Sequence, residues 1–243
     1  PFPQTAPPEH GLQFDGVSSH VEIPLFEFEP HGPLTVEAWF TVEQKPPANN
    51  GDPDAHLHAV WSAVNPRTKA LFHFLVDPPN QGWWFGGGED RLTRTIYHKF
   101  AMDGPRADLY SARHHAAFVR DGEEVRLYVD GQPKRSGGAI VDDSIPPDPS
   151  VQPSEVERYF LGASVGRSGK TLSRFLRGAI DEFRLSKTAR YSQAFTPDQQ
   201  FPADDATLVL YHFLEGTGDV QEDSSGRERK GKIVDAKWIK ADD

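Results

Sequence analysis

Apolar and polar positions alternate with a period of two along most of the chain. The longest such run is Arg174-Phe-Leu-Arg-Gly-Ala-Ile-Asp-Glu-Phe-Arg-Leu-Ser186. An unbroken register puts Phe175, Ala179, Phe183 and Leu185 on one face, together with Arg177 and Asp181. Leu176, Gly178, Ile180, Glu182 and Arg184 then share the other. A carboxylate on a face with two phenylalanines needs a partner: a cation, an arginine or several backbone N–H groups. A β-bulge, which inserts a residue into the strand, is the alternative that would move Asp181 off that face.

The same reading predicts short strands over Gly11–Gly16, Ser19–Pro24, Leu34–Glu43, His56–Val64, Ala70–Val76 and Leu92–Phe100. Leu34, Val36, Ala38, Phe40 and Val42 alternate cleanly against Thr35, Glu37, Trp39, Thr41 and Glu43. His114–Arg120 and Glu123–Asp130, joined at Asp121-Gly122, form the clearest hairpin, and Asp130-Gly131 turns into a strand over Gln132–Val141. Strands follow at Arg158–Ala163 and Ala206–Phe213, with a short closing strand or two between Lys232 and Ile239. Lys45–Pro53, Asp142–Pro153 and Ser164–Thr171 read as loops, as does Pro78–Asp90, which carries Trp83-Trp84-Phe85-Gly-Gly-Gly88. No stretch demands a long helix. Many short strands with turns at this spacing predict an all-β, two-sheet antiparallel β-sandwich of the jelly-roll type. Residues 1–10 are expected to be a Pro-rich linker, cut from a longer protein or a processed start. Residues 11–243 are expected to be a single domain, with 204–243 as a closing segment.

Composition narrows the chemistry. The 243 residues include 16 Phe, 5 Trp and 6 Tyr, enough for a large core, and 21 Gly and 21 Pro, which suit turns. The absence of cysteine excludes disulfides, thiolate metal sites and a cysteine nucleophile. A net charge of −10 argues against a nucleic-acid partner. No apolar run approaches the length of a membrane span, so no membrane insertion is expected, and no signal peptide is visible.

Several motifs in order resemble one family. They are Leu12-Gln-Phe-Asp-Gly16, Leu34-Thr-Val-Glu-Ala-Trp39, Ala117-Phe-Val-Arg-Asp-Gly122, Val125-Arg-Leu-Tyr-Val-Asp-Gly131, Leu161-Gly162 and Gly178-Ala-Ile-Asp-Glu-Phe-Arg-Leu185. Together they resemble the laminin-G-like modules of the concanavalin A-like lectin/glucanase superfamily. The run Thr207–Phe213, Glu215-Gly-Thr-Gly218, Asp223-Ser-Ser-Gly226 and Gly231–Val234 resembles a segment that completes such modules in bacterial proteins. The resemblance implies a non-catalytic binding module for carbohydrate recognition or adhesion within a larger multidomain bacterial protein, extracellular or at the cell surface. A protein-interaction module attached to a signalling protein such as a protein kinase is the alternative, so the expected partner is a glycan or a protein. The family's fold hosts many functions and leaves the ligand open. The resemblance also implies one structural calcium ion between the first strand and the Ile-Asp-Glu strand, with Asp15, Gly16 and Asp181 as candidate ligands. Without metal, Asp15 only makes its turn and Asp181 pairs with Arg177 or Arg184.

The glucanase branch hydrolyses glycans with two carboxylates on alternate positions of one strand, about 5 Å apart. Here Asp181 and Glu182 are adjacent, residue 179 is Ala, and Glu27-Phe-Glu29 lies in a Pro-flanked stretch without strand pattern. Glycoside hydrolysis is therefore not expected. For ligand binding, Trp83 and Trp84 offer stacking surfaces, and Asn80, Asp90 and Arg91 in the same Gly-rich stretch offer hydrogen bonds. The alternation Asp52, Asp54, His56, His58 has a metal-like spacing but begins in a Pro-containing loop, and a solvated loop is preferred. His114 and His115 project to opposite strand faces. Gly166-Arg-Ser-Gly-Lys170-Thr171 lacks the spacing of a phosphate loop.

Overall fold

The computed structural model describes residues 10–26, 29, 32–44, 56–65, 69–78, 82–89, 94–101, 109–110, 112–122, 124–134, 136–142, 158–165 and 171–240. In chain order the strands are β1 (His10–Asp15), β2 (His20–Ile23), β3 (Leu34–Val42), β4 (His58–Asn65), β5 (Lys69–Asp77), β6 (Gly82–Glu89) and β7 (Arg94–Ala101). They continue with β8 (His114–Asp121), β9 (Glu124–Val129), β10 (Gln132–Lys134), β11 (Ser136–Asp142), β12 (Arg158–Leu161), β13 (Ser164–Val165) and β14 (Leu172–Ser173). The last are β15 (Arg177–Ser186), β16 (Thr207–Tyr211), β17 (Val220–Gln221), β18 (Gly231–Val234) and β19 (Lys237–Lys240). Sheet A has the order β10-β9-β8-β3-β15-β1-β19, with β16 also on β15. Sheet B has the order β11-β7-β6-β5-β4-β12-β2-β18-β17, and β13 and β14 form a small hairpin of their own. All pairings are antiparallel. No helix among the described residues is long and apolar enough to cross a membrane.

One core fills the space between the sheets. Sheet A supplies Leu34, Val36, Ala38 and Phe40; sheet B supplies Trp61, Phe72, Phe74 and Phe85. The alternation expected for β3 holds on this side, yet its other face is buried too. Residues 187–206 cross that outer face as a strap. Tyr191 and Phe195 of the strap pack on Ala117, Val119 and Tyr128, and Phe201 packs with Trp39 and Leu210. The Phe195 amide donates to the Gly131 carbonyl at 3.0 Å. Gly131 has φ +73, and a Cβ there would lie 1.9 Å from the Phe195 carbonyl oxygen, so the close approach requires glycine.

Beneath the strap sits Glu37, with no exposed surface. Arg184 Nε donates to Oε1 at 2.8 Å, Tyr191 Oη donates to Oε2 at 2.8 Å, and His115 Nε2 lies 3.3 Å from Oε2. Burial alone would raise the carboxyl's pKa, but the Arg184 guanidinium, with His115 and Tyr191, holds it below the ordinary value. The strap is thus pinned to the sheet through the Tyr191 hydroxyl and through Arg184 Nη1, which donates to the Pro202 carbonyl at 2.8 Å.

Strand β15 does not keep an unbroken register. It slips against β3 between Ile180 and Glu182, a β-bulge at Asp181. Before the bulge Leu176 and Ile180 face the core; after it Phe183 and Leu185 do. The face assignment expected from strict alternation is corrected accordingly. Ile180 joins Phe183 in the core, Phe175 packs in a satellite cluster with Phe160 and Val165, and Asp181 and Glu182 both fall on the strap side. The bulge lies where the neighbour on one edge of β15 changes from β1, which pairs with Arg177–Ile180, to β16, which pairs with Phe183–Ser186.

Three boundaries also differ from expectation. His10 belongs to β1 and not to a linker; residues 1–9 lie outside the described residues. The strand expected over Gln132–Val141 splits into β10 in sheet A and β11 in sheet B, with an irregularity between Ser136 and Ala139 that spans Gly137 and Gly138. The Gly- and Trp-rich stretch expected as a loop is β6, an interior strand of sheet B paired with β5 and β7. Its glycines lack strand propensity, and two flanking ladders override that weakness. The closing segment threads both sheets, with β16 and β19 in sheet A and β17 and β18 in sheet B.

The turn after β1 is built by the Asp15 carboxylate. Its Oδ1 accepts from the amides of Val17 (2.7 Å), Ser18 (3.0 Å) and Ser19 (3.1 Å) and from the Ser19 hydroxyl (2.8 Å). Partial burial works against the charge, but these donors outweigh it and hold the carboxyl well below the usual range.

Two outcomes are expected. Glu37→Gln leaves Arg184 buried without its counter-charge and should cost about 3–5 kcal/mol in chemical denaturation; a double Glu37→Leu, Arg184→Met variant should recover much of that loss. Asp15→Asn should be less stable than wild type at neutral pH. Because the folded-state pKa is depressed, the wild-type advantage is present above the unfolded value of about 3.9 and fades as the pH falls further. Melting curves of both proteins across that range should therefore converge in acid.

Candidate functional site

The strap covers the outer face of sheet A over β3 and β8, and the outer face of sheet B carries the outward-facing residues of β6. Part of it is covered: Ser164 of β13 bonds His73 of β5 (Oγ to Nδ1, 2.6 Å), and the Ser62 hydroxyl donates to the Ala163 carbonyl at 2.8 Å. Along β6 the side chains alternate. Trp83 and Phe85 point into the core, and Trp84 points outward between Gly82 and Gly86. Both glycines are buried, and a Cβ at Gly82 would meet Lys99 Cε at 3.2 Å and Trp84 Nε1 at 3.3 Å, so the lysine stem and the indole lie over that glycine.

Trp84 stands across from Leu75 of β5 and Lys99 of β7. Leu57, Ala59 and Leu75 pack against it as a small satellite cluster. Its indole N–H donates to Asp77 Oδ2 at 3.2 Å, and His56 Nε2 lies 3.4 Å from Asp77 Oδ1. The Lys99 ammonium sits over the ring, 4.8 Å from its centroid. The result is a half-buried indole whose N–H is held by the buried Asp77 carboxylate, with an imidazole and an ammonium beside it.

Placement of the expected ligand residues follows from this geometry. Trp84 lies half-buried on the outer face of sheet B. Trp83 does not: it is 2% exposed and packs edge-on to Phe40, because neighbouring strand positions face opposite ways. A buried ring offers no surface to a ligand, so Trp83 is corrected to a core residue. Asn80, Asp90 and Arg91 lie outside the described residues, as do Asp52 and Asp54. Asp77 and Lys99 were missed by sequence reasoning, and His56 entered it only as part of a metal-like alternation. Asp77 and Lys99 become visible only once 82–89 is recognised as a strand, since they reach Trp84 across strand pairs.

The expected calcium ligands do not converge. Asp15 pairs with Arg177, and Asp181 lies four residues further along β15, roughly 13 Å away at strand rise. The Asp15 oxygens are occupied by the turn. Those of Asp181 accept a two-pronged bond from Arg113, Nε to Oδ2 and Nη2 to Oδ1, the latter at 2.9 Å. Arg113 also stacks on Trp39, 4.1 Å from the ring centroid, and donates to Gln199 of the strap at 2.6 Å. Asp15, Gly16 and Asp181 thus do not fit one shared ion. Among the described residues no group of three or more His, Asp or Glu side chains is arranged to hold a metal.

The bulge sets the acidic pair Asp181 and Glu182 on one side of β15, contrary to the opposite facing expected of adjacent residues. Neither is available for catalysis. Asp181 is held by Arg113, and Glu182 has no exposed surface; its Oε1 accepts from the Phe201 amide at 2.9 Å and lies 2.7 Å from His212 Nδ1. Burial pushes both carboxyls above their ordinary range, with Arg113 and His212 pulling the other way.

Comparisons with known proteins agree with this architecture. A protein from Bacteroides ovatus ATCC 8483, a candidate carbohydrate-binding protein, superimposes with a TM-score of 0.66 at 15% identity, over 98% of this chain and 61% of its own. Domains LG4-5 of the mouse laminin alpha1 chain align with a TM-score of 0.49 at 14% identity, over 78% of this chain and 48% of theirs. A mutant of Trypanosoma rangeli sialidase aligns at 0.39 and 16% identity, over 66% of this chain and 22% of its own, too low to bear on function. This chain therefore spans about three fifths of the length of the Bacteroides protein. No curated protein matches. The Laminin_G_3 family model, described as the concanavalin A-like lectin/glucanases superfamily, matches residues 15–194. With its two antiparallel sheets and laminin-G motifs, the chain belongs to the concanavalin A-like lectin/glucanases superfamily.

Proposed function

We propose that this chain is a non-catalytic carbohydrate-recognition module whose ligand docks on the outer face of sheet B at Trp84, within a larger protein. The observation that carries the reading is Trp84 itself. It is a half-buried indole on the outer face of sheet B, its N–H held by the buried Asp77 carboxylate and His56 and Lys99 beside it. Sugars present an apolar ring face ringed by hydroxyls, which an indole with polar groups beside it complements. A sugar stacking on the ring must displace the Lys99 ammonium, at a cost on the order of 0.5–1 kcal/mol, and hydrogen bonds to the freed lysine offset it. The likeness to the Bacteroides protein supports the reading at the level of fold. The sequestered state of Asp181 and Glu182 supports the absence of hydrolysis, because a retaining pair needs both carboxyls open to one cleft.

A glycan array followed by calorimetry tests the proposal. Trp84→Ala should lower affinity roughly tenfold or more while the protein stays folded, since only a satellite cluster is lost. Trp83→Ala should instead cost about 3–5 kcal/mol of stability. A blank array with folded wild type, alongside a protein recovered from the native host by pull-down, would replace the glycan reading with protein recognition.

A further inference from the structure

Two buried oxygens in the closing segment lack a hydrogen-bond donor: Oε2 of Glu215 and Oε1 of Gln221. They belong to bonded partners. The Gln221 side-chain N–H₂ donates to the other Glu215 oxygen, Oε1, at 3.2 Å and to the Glu222 carbonyl at 3.1 Å. The Glu222 amide donates to the same Oε1 at 3.0 Å. Turning the Gln221 amide over brings no relief, because its oxygen would then face a carboxylate and a carbonyl. Gln221 is fully buried in β17. The loop that brings Glu215 to it is tied down on its far side: Trp238 Nε1 donates to the Gly218 carbonyl at 2.8 Å, and the Ile233 amide to that of Asp219 at 2.8 Å.

A buried acceptor without a donor costs about 1–3 kcal/mol, and more when charged. Two in one bonded pair, in a segment where the surrounding polar groups are satisfied, point to an occupant. Both open atoms are oxygens and one carries charge, which is the donor set of a hard cation. We propose that Glu215 Oε2 and Gln221 Oε1 form a cation site that takes calcium, with water completing the shell. Calcium accepts an irregular set of carboxylate, amide and water oxygens, whereas magnesium demands near-octahedral geometry and dehydrates reluctantly. One carboxylate and one amide place the affinity near the weak end for calcium modules, about 10⁻³ M. The site lies outside residues 15–194 matched by the family model and shares no residue with the Asp15 turn or the Asp181 bulge.

Metal-stripped protein, melted and titrated calorimetrically with calcium chloride, tests this. At about 10 mM calcium the wild type should melt about 3–6 °C higher than in EDTA, with magnesium giving less. Glu215→Gln should abolish the shift. Gln221→Glu adds a second carboxylate, so it should melt lower than wild type without metal and show a larger calcium shift. Because this variant gains response, it keeps the test open even if Glu215→Gln fails to fold. A wild type indifferent to calcium together with an unresponsive Gln221→Glu overturns the proposal and leaves a water donating to both oxygens. A calcium shift that survives in Glu215→Gln also overturns it, by placing the ion elsewhere.

Discussion

The Glu37 carboxylate is the constraint on which the rest of this structure turns. It projects from the middle of β3 on the side away from the core, where an open sheet would leave it in water. Here it is sealed in, and a sealed charge must be paired and hydrogen-bonded. Arg184 on the adjacent strand, Tyr191 on the strap and His115 on β8 meet that demand together. The cluster therefore does more than join two strands. It gives residues 187–206 a fixed place across the sheet and buries the outer face of β3 and β8 beneath them.

That closure covers part of one outer face of the sandwich, over β3 and β8. The other is narrowed by the β13–β14 hairpin, whose Ser164 and neighbouring Ala163 carbonyl satisfy His73 and Ser62. Around β6 the outward-facing Trp84 stays half-buried against Leu57, Ala59 and Leu75. The closing segment reinforces the arrangement by adding strands to both sheets, which ties them together along the edge formed by β1, β2, β18 and β19.

The bulge at Asp181 has a similar double role. It reverses the inward parity of β15 so that Ile180 and Phe183, three positions apart, both enter the core. It also turns two successive carboxylates toward the strap side, where Arg113 and His212 take them up. An acidic pair that resembles hydrolytic machinery in the chain is thereby converted into a structural joint linking β8, β15, β16 and the strap.

Much of this was legible in the order of residues. Period-two alternation in Leu34–Val42 and across the Asp121-Gly122 hairpin requires a sheet with one face inward, and turn residues at short intervals require many short antiparallel strands. The family motifs are local enough to survive at low identity, so superfamily and sandwich follow from the chain alone. The rest depends on contacts between distant positions. Nothing local in Gly82–Glu89 announces a central strand, because glycine has no strand propensity and only the ladders of β5 and β7 hold it extended. Whether Trp83 or Trp84 faces solvent hangs on that register. The partner of Asp181 is Arg113, 68 residues away and absent from any pattern along β15. The sequence by itself determined the class of fold, its turns and its charge-bearing candidates. The tertiary structure decided which charges are buried, where the strap covers the sheet and which of Trp83 and Trp84 enters the core, because those outcomes are set by strand pairing and burial, which no local pattern encodes.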